Sequence, residues 1–368
     1  MKIGIVTFYK SLNYGAMLQA RALNDILCAW GHSVFYIYHP HAVIRRSSFL
    51  RCFIVRPGFD FIQKIFRKMS QWVSYPITSF SDRLTTTKLC RSKEDLAEVS
   101  QGCRVLIAGS DQIWNPRWVV PNDIETVFLG FAPEGCKRIS YAASFSVSEW
   151  GVRGRNEAAR LLKEFDVISV REESGVRIVK EISGRNAQQA LDPTLLHTRD
   201  YYERLIPGDG RAVKMEYIFK YVINGWTDNP QETHLISLCR QYFHGLSVVN
   251  ETDVTFVGLR KRVDVPGWLR RIRDAKFVVT NSFHGLVFSL IFNRPFVVVA
   301  LTGANAGMNE RVDSLLKLLG LKSRMCGVDV SDKMLCDILA APIDWGRVNA
   351  TLVNEREKSL NFLEGALK

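Results

Sequence analysis

The chain has 368 residues, enough for two domains each with its own core, and its 47% hydrophobic and 23% charged residues are those of a globular protein. No apolar run approaches the roughly 20 residues that span a bilayer, and the first residues form a short β-like run, not a signal peptide, so a cytoplasmic location is expected. The eight cysteines are scattered, with no C-x-x-C pair, which disfavours a zinc site or disulfide framework and leaves buried free thiols.

Lys2 to Phe8 reads as a strand, followed by a polar loop through Asn13-Tyr14-Gly15. Ala16 to Trp30 is helical by period, with Leu18, Ala22, Leu23, Ile26 and Leu27 on one face. Val34 to Tyr38 is the next strand. This β-loop-α-β opening is the start of a doubly wound sheet, but it lacks G-x-G-x-x-G, so a dinucleotide cofactor is disfavoured. The formal net charge of +12 is concentrated just beyond, in residues 42–93, where eleven Lys/Arg face two acids and Phe49, Phe53, Phe59, Phe61, Phe66 and Trp72 are interleaved. This basic, aromatic insertion fits an anionic membrane surface, a nucleic acid or a plain solvated excursion; no nucleic-acid-binding signature accompanies it, and no nucleic-acid partner is expected.

Cys103 to Ala108 is a strand that runs into Gly109-Ser110-Asp111-Gln112, small and hydrogen-bonding residues of the kind found in ligand loops. Lys137 to Ala142 is another, ending near Ser144. Phe165 to Val170 is a fifth and places Arg171 at the same level before a helix through Glu181. Gln188 to Leu191 leads to Asp192-Pro193-Thr194. Ile206-Pro207-Gly208-Asp209-Gly210 reads as a linker, and the pattern restarts after it: a strand over Glu216 to Val222, a helix over Gln231 to Tyr242, a strand over Leu246 to Asn250, and a helix from Val265 to Asp274. Phe277-Val278-Val279 is an apolar strand. A helix follows from Leu286, and Phe296 to Val299 is the next strand, so His284 falls at a strand-to-helix junction, where open α/β sheets bind ligands and helix starts receive anions. Asn309 to Leu319 and Arg347 to Ala366 are further helices. The expected organisation is a first α/β domain over residues 1–205 carrying the 42–93 insertion, a second over 206–346, and a C-terminal helix over 347–368, with the ligand cleft between the two halves.

The strand ends therefore carry Asn13, Asp111, Ser144, Arg171 and His284, with Arg262 and Arg311 as further additions. There is no G-x-S-x-G elbow and no G-x-x-x-x-G-K-[ST] loop, which argues against a serine hydrolase and a P-loop kinase. What remains is an anion-accommodating cleft with a histidine able to move a proton near neutral pH. That suits group transfer from a phosphorylated donor to a hydroxyl acceptor.

The sequence resembles the polysaccharide pyruvyl transferase family nearly end to end. The resemblance is carried by Asn13-Tyr14-Gly15-Ala16, Gly109-Ser110-Asp111-Gln112-Ile113-Trp114-Asn115, Tyr141-Ala142-Ala143-Ser144-Phe145, Ser169-Val170-Arg171-Glu172-Glu173-Ser174-Gly175, Leu191-Asp192-Pro193-Thr194, Thr280-Asn281-Ser282-Phe283-His284-Gly285 and Asn309-Glu310-Arg311. It implies two tandem Rossmann-like domains of glycosyltransferase-B type and phosphoenolpyruvate as co-substrate, with no metal or other cofactor. The acceptor it implies is a sugar of a cell-surface polysaccharide or its lipid-linked precursor. It places the acid/base at His284 and the principal anion clamp at Arg171. Asn13, Ser144 and Ser282 would hydrogen-bond donor or acceptor, the Gly285 N–H would lie near phosphate, Asp111 would take a sugar-hydroxyl proton or orient the acceptor, and Arg311 would come in from the opposite wall. The rival readings are a glycosyltransferase using a nucleotide sugar in the same architecture, and a non-catalytic polysaccharide- or membrane-associated binding protein.

Overall fold

The computed structural model describes residues 1–11, 13–39, 79–119, 123–208, 215–223, 231–254, 260–327 and 331–368. Seven strands form the first sheet: β1 (Lys2–Val6), β2 (Ser33–Tyr38), β3 (Thr86–Leu89), β4 (Val105–Ala108), β5 (Lys137–Ala143), β6 (Val167–Val170) and β7 (Gln188–Gln189). Every neighbouring pair is parallel, in the order β3-β2-β1-β4-β5-β6-β7. In the second half come β8 (Tyr217–Tyr221), β9 (Ser247–Val249), a small antiparallel pair β10 (Thr252–Val254) and β11 (Arg260–Arg262), then β12 (Phe277–Thr280), β13 (Phe296–Val299) and β14 (Met325–Cys326). The second sheet is also parallel, in the order β14-β13-β12-β8-β9.

The central strands are apolar without alternation because helices cover both faces: all four residues of β4, β12 and β13 are buried. The main helices are α1 (Tyr14–Ala29), α2 (Lys93–Ser100), α3 (Arg155–Lys163), α4 (Glu173–Ser183), α5 (Gln231–Tyr242), α6 (Val265–Arg273), α7 (Phe283–Ile291), α8 (Glu310–Leu318), α9 (Asp332–Ala340) and α10 (Trp345–Leu367). All nine residues of α7 are buried, as its nearly unbroken apolar sequence requires. One apolar cluster runs through both halves, from Ile3, Tyr14 and Tyr141 to Trp268, Phe288 and Val298. The helix expected as a separate C-terminal piece, α10, crosses back to the first sheet. There Arg356 Nε donates to the Leu195 carbonyl at 2.8 Å, and Ser359 Oγ accepts from Leu191 N at 3.0 Å.

Of the basic segment expected as an insertion over 42–93, residues 42–78 lie outside the described residues, with the reading of a membrane contact that rests on them. Its end is not an excursion from the fold. Thr86–Leu89 forms edge strand β3, pairing Tyr36 with Thr86 and Tyr38 with Leu89, and Lys93 opens α2 behind a Ser92–Asp95 capping box. The β-branched pair Thr86-Thr87 suits a half-exposed edge strand, whose alternating burial leaves only a weak apolar signal.

Each sheet has one topological switch point, where the chain leaves a strand for one neighbour and later returns to the other side. In the first sheet it lies between β1 and β4, and in the second between β8 and β12. The two face each other across α1 and α7.

Candidate active site

α1 begins at the first switch point, with Asn13 as its cap: Asn13 Oδ1 accepts from Gly15 N at 2.9 Å. α7 begins at the second, capped by Ser282, whose Oγ accepts from Gly285 N at 3.4 Å. Helix starts leave N–H groups without intrahelical partners, and a short polar side chain placed just before the helix satisfies them. Asn13, Ser282 and the Gly285 N–H, expected to bind donor, are engaged in these caps. Gly285 has a further reason to be glycine, because a Cβ there would come within 2.9 Å of Thr280 Cβ on β12 and overlap its hydroxyl more deeply.

Between the two helix starts lies a buried charged cluster drawn from four strand ends and the first turn of α8. His284 and Arg171 are 3% and 5% exposed, and Asp111, Glu172, Asp192 and Arg311 are likewise buried. Asp192, which follows β7, is the hub. Its Oδ2 accepts from Arg171 Nη1 at 2.6 Å and Ser110 Oγ at 3.0 Å and lies 3.6 Å from His284 Nε2; its Oδ1 accepts from Thr194 N and Oγ1 at 3.0 and 2.7 Å. Burial pushes the Asp192 carboxyl up, but His284, Arg171 and Thr194 together more than reverse this and hold it well below the usual carboxylate range. Asp192 belongs to a recognised motif, yet the sequence assigned it no role. Arg171 and Ser110 reach it from other strand ends of the same half and His284 from the second half, contacts that the fold brings together.

Arg171 and Arg311 both approach one aromatic ring. Their guanidinium carbons stand 4.4 and 5.7 Å from the centroid of Phe283, the residue before His284. Arg311 is pushed down to about 10, first by burial and next by the like charge of Arg171, with Asp111, Glu172 and Asp192 pulling the other way. It stays cationic at neutral pH. Arg311 Nε donates to the Met308 carbonyl at 3.3 Å; with the Gln112 amide turned so that its oxygen faces the guanidinium, that oxygen accepts from Nη1 and Nη2 at 3.0 and 3.2 Å. Asp111 Oδ1 is 3.7 Å from Arg171 Nη2, an ion-pair distance without a hydrogen bond. Ser144 Oγ donates to Glu172 Oε1 at 3.0 Å, and the same oxygen accepts from the Phe145 and Ser146 N–H groups at 2.7 and 3.0 Å.

Two features single out this cluster. Asp111, Ala142 and Ser146 adopt left-handed φ of 71°, 48° and 54°. Non-glycine residues pay a steric penalty there, and such strain concentrates at functional sites. Several buried polar atoms in the cluster also have no hydrogen-bond partner: Arg171 Nε and Nη2, Glu172 Oε2 and His284 Nε2. A buried donor or acceptor left unpaired costs roughly 1–3 kcal/mol, so four in one place call for partners, whether water or a ligand. A cavity of about 40 Å³, room for about one or two waters, reaches Arg171 and Asp192 between Phe283, Leu315, Leu318 and Glu355. Among the described residues no group of three or more His, Cys, Asp or Glu is placed to hold a metal ion, and no helix is long and apolar enough to cross a membrane. Arg262, the other addition read from the sequence, lies on β11, outside this cluster.

Two parallel-sheet halves with facing switch points place the protein in the glycosyltransferase-B fold class. Solved structures of this architecture are similar to it throughout. A Listeria monocytogenes protein described as a UDP-N-acetylglucosamine 2-epimerase is 9% identical with a TM-score of 0.54, the match covering 99% of this chain and 95% of that one. The UDP-bound MnaA of S. aureus is 10% identical with a TM-score of 0.53, over 99% and 96% of the two chains. No curated protein matches the chain by sequence. The family model described as polysaccharide pyruvyl transferase matches residues 13–302, and the chain belongs to that family.

Proposed function

We propose that the protein transfers the pyruvyl group of phosphoenolpyruvate onto two hydroxyls of one sugar, forming a ketal and releasing phosphate, with a polysaccharide or its lipid-linked precursor as acceptor. The observation that carries this reading is the set of unpartnered buried atoms on Arg171 and His284 beside Arg311 and Asp111. Phosphoenolpyruvate has two anionic groups, a carboxylate and a phosphate, and two guanidiniums near one ring supply matching charge and planar hydrogen bonds. Its methylene carbon must gain a proton, which leaves an oxocarbenium-like centre at the neighbouring carbon. A sugar hydroxyl attacks that carbon and gives up its proton, then a second hydroxyl displaces phosphate. His284 is the proton-transfer residue and Asp111 takes the hydroxyl proton or orients the acceptor; such catalysis is worth ~10²–10⁴-fold.

Every charged group of the site is buried, so the site must open to admit the donor. Phosphate release from phosphoenolpyruvate, supplied with a panel of methyl glycosides as acceptors, tests the reading. Wild type should release phosphate and His284→Ala should lose nearly all of that rate while keeping its circular dichroism. Turnover near the wild-type rate in His284→Ala would remove the proposed role.

A further inference from the structure

We propose that Gly15 is a positioning residue, the seat on the first half for the His284 imidazole of the second, so that His284 reaches its working position only when the halves are closed. The proposal rests on the reading of His284 as the proton-transfer residue. Gly15 is the second residue of α1 and has ordinary helical backbone, since its φ is not among the positive ones. Conformation therefore does not demand glycine there, and on helix propensity alone alanine is the better residue by about 1 kcal/mol. Space demands it. A Cβ on Gly15 would stand 2.6 Å from His284 Cβ and overlap the ring atoms Cγ and Nδ1 more deeply still. Because the His284 Cβ itself is in the way, turning the imidazole to another rotamer cannot relieve the clash; the start of α7 has to move.

The residue before Gly15 fixes the distance at which this happens. Tyr14 stacks on Trp268 of α6, with ring centroids 5.0 Å apart and planes 8° from parallel, and its hydroxyl donates to the Val263 carbonyl at 2.9 Å. Tyr14 thus pins the start of α1 to the second half, and Gly15 leaves the gap into which the imidazole fits. On its far side the ring meets Asp192, again from the first half. His284 is held between two residues of the opposite half, and parting the halves takes both away. A displacement near 1 Å of a reacting group costs on the order of 10²-fold in rate.

The test uses Gly15→Ala, His284→Gly and the double variant. His284→Ala would leave the offending Cβ in place, whereas His284→Gly removes it. Gly15→Ala should lower the melting temperature by roughly 5 °C in the wild-type background and by little in the His284→Gly background. Diethyl pyrocarbonate should modify exposed His234 in all folded variants, and should modify His284 in Gly15→Ala far more than in wild type, as read by peptide mass. Recovery of folded double variant where Gly15→Ala alone fails to fold supports the proposal. Equal destabilisation in both backgrounds, or a His284 that stays protected in folded Gly15→Ala, overturns it. These readouts involve no donor, so they stand or fall apart from the assignment of phosphoenolpyruvate. Where that assignment holds, Gly15→Ala should cut kcat about 10²-fold with the KM for phosphoenolpyruvate within a few-fold of wild type.

Discussion

Two helices start at the two switch points, α1 with Asn13 as its cap and Gly15 in its first turn, α7 with Ser282 as its cap and Gly285 in its first turn. Both glycines exclude a side chain by close approach, but from different directions. Gly285 clears Thr280 of its own sheet, while Gly15 clears His284 of the other half. One is a requirement of folding within a half, the other of assembling a site between halves. Two capped helix starts with an early glycine therefore carry different duties, and the difference lies in what each glycine faces.

Substitutions at the two starts should separate those duties. The largest effect belongs to the residue that the first start seats: His284→Ala should cut phosphate release by about 10³-fold with little change in fold. Arg171→Ala leaves the wholly buried Asp192 without its main partner and should cost about 3–5 kcal/mol in a urea titration. Loss under 1 kcal/mol would mean that His284, Ser110 and Thr194 suffice to hold Asp192. Asp192 also gives the fold a pH signature. Its folded pKa lies below the unfolded value of about 3.9, so the stability it contributes is present above that pH and is lost as the pH falls from there towards the folded value. Between pH 5 and pH 3 the wild type should lose more stability than Asp192→Asn. Gly285→Ala should cost about 1–3 kcal/mol through overpacking against Thr280, and should do so whether or not position 284 carries a side chain. That independence contrasts with Gly15→Ala. The smallest effect is expected at the exposed pair between the halves, Lys317 with Glu173 at 2.7 Å, where Lys317→Ala should change stability by less than about 1 kcal/mol.

Much of this arrangement was legible in the sequence. Unbroken apolar runs such as Phe277 to Val279 and Phe296 to Val299 announce buried parallel strands, and the polar residues just after them mark the sheet edge where Asp111, Arg171 and His284 stand. Short or polar strands were not legible: β3 alternates weakly at an edge, β11 reads Arg260-Lys261-Arg262, and β14 has two residues. The hub role of Asp192 and the seat at Gly15 were hidden for another reason. Each depends on a contact between residues more than 90 positions apart in the chain, and pattern along the chain is silent about such pairs. Asn13 and Ser282, expected as ligand contacts, cap the two helices in the structure.

The central claim is that the cluster around Arg171 and His284 receives phosphoenolpyruvate. Thermal-shift titration with phosphoenolpyruvate, run beside UDP-glucose, UDP-N-acetylglucosamine and GDP-mannose on wild type and Arg171→Gln, tests it most directly. Phosphoenolpyruvate should raise the melting temperature of wild type, Arg171→Gln should lose the shift, and the nucleotide sugars should give none. Stabilisation by a nucleotide sugar alone would contradict it.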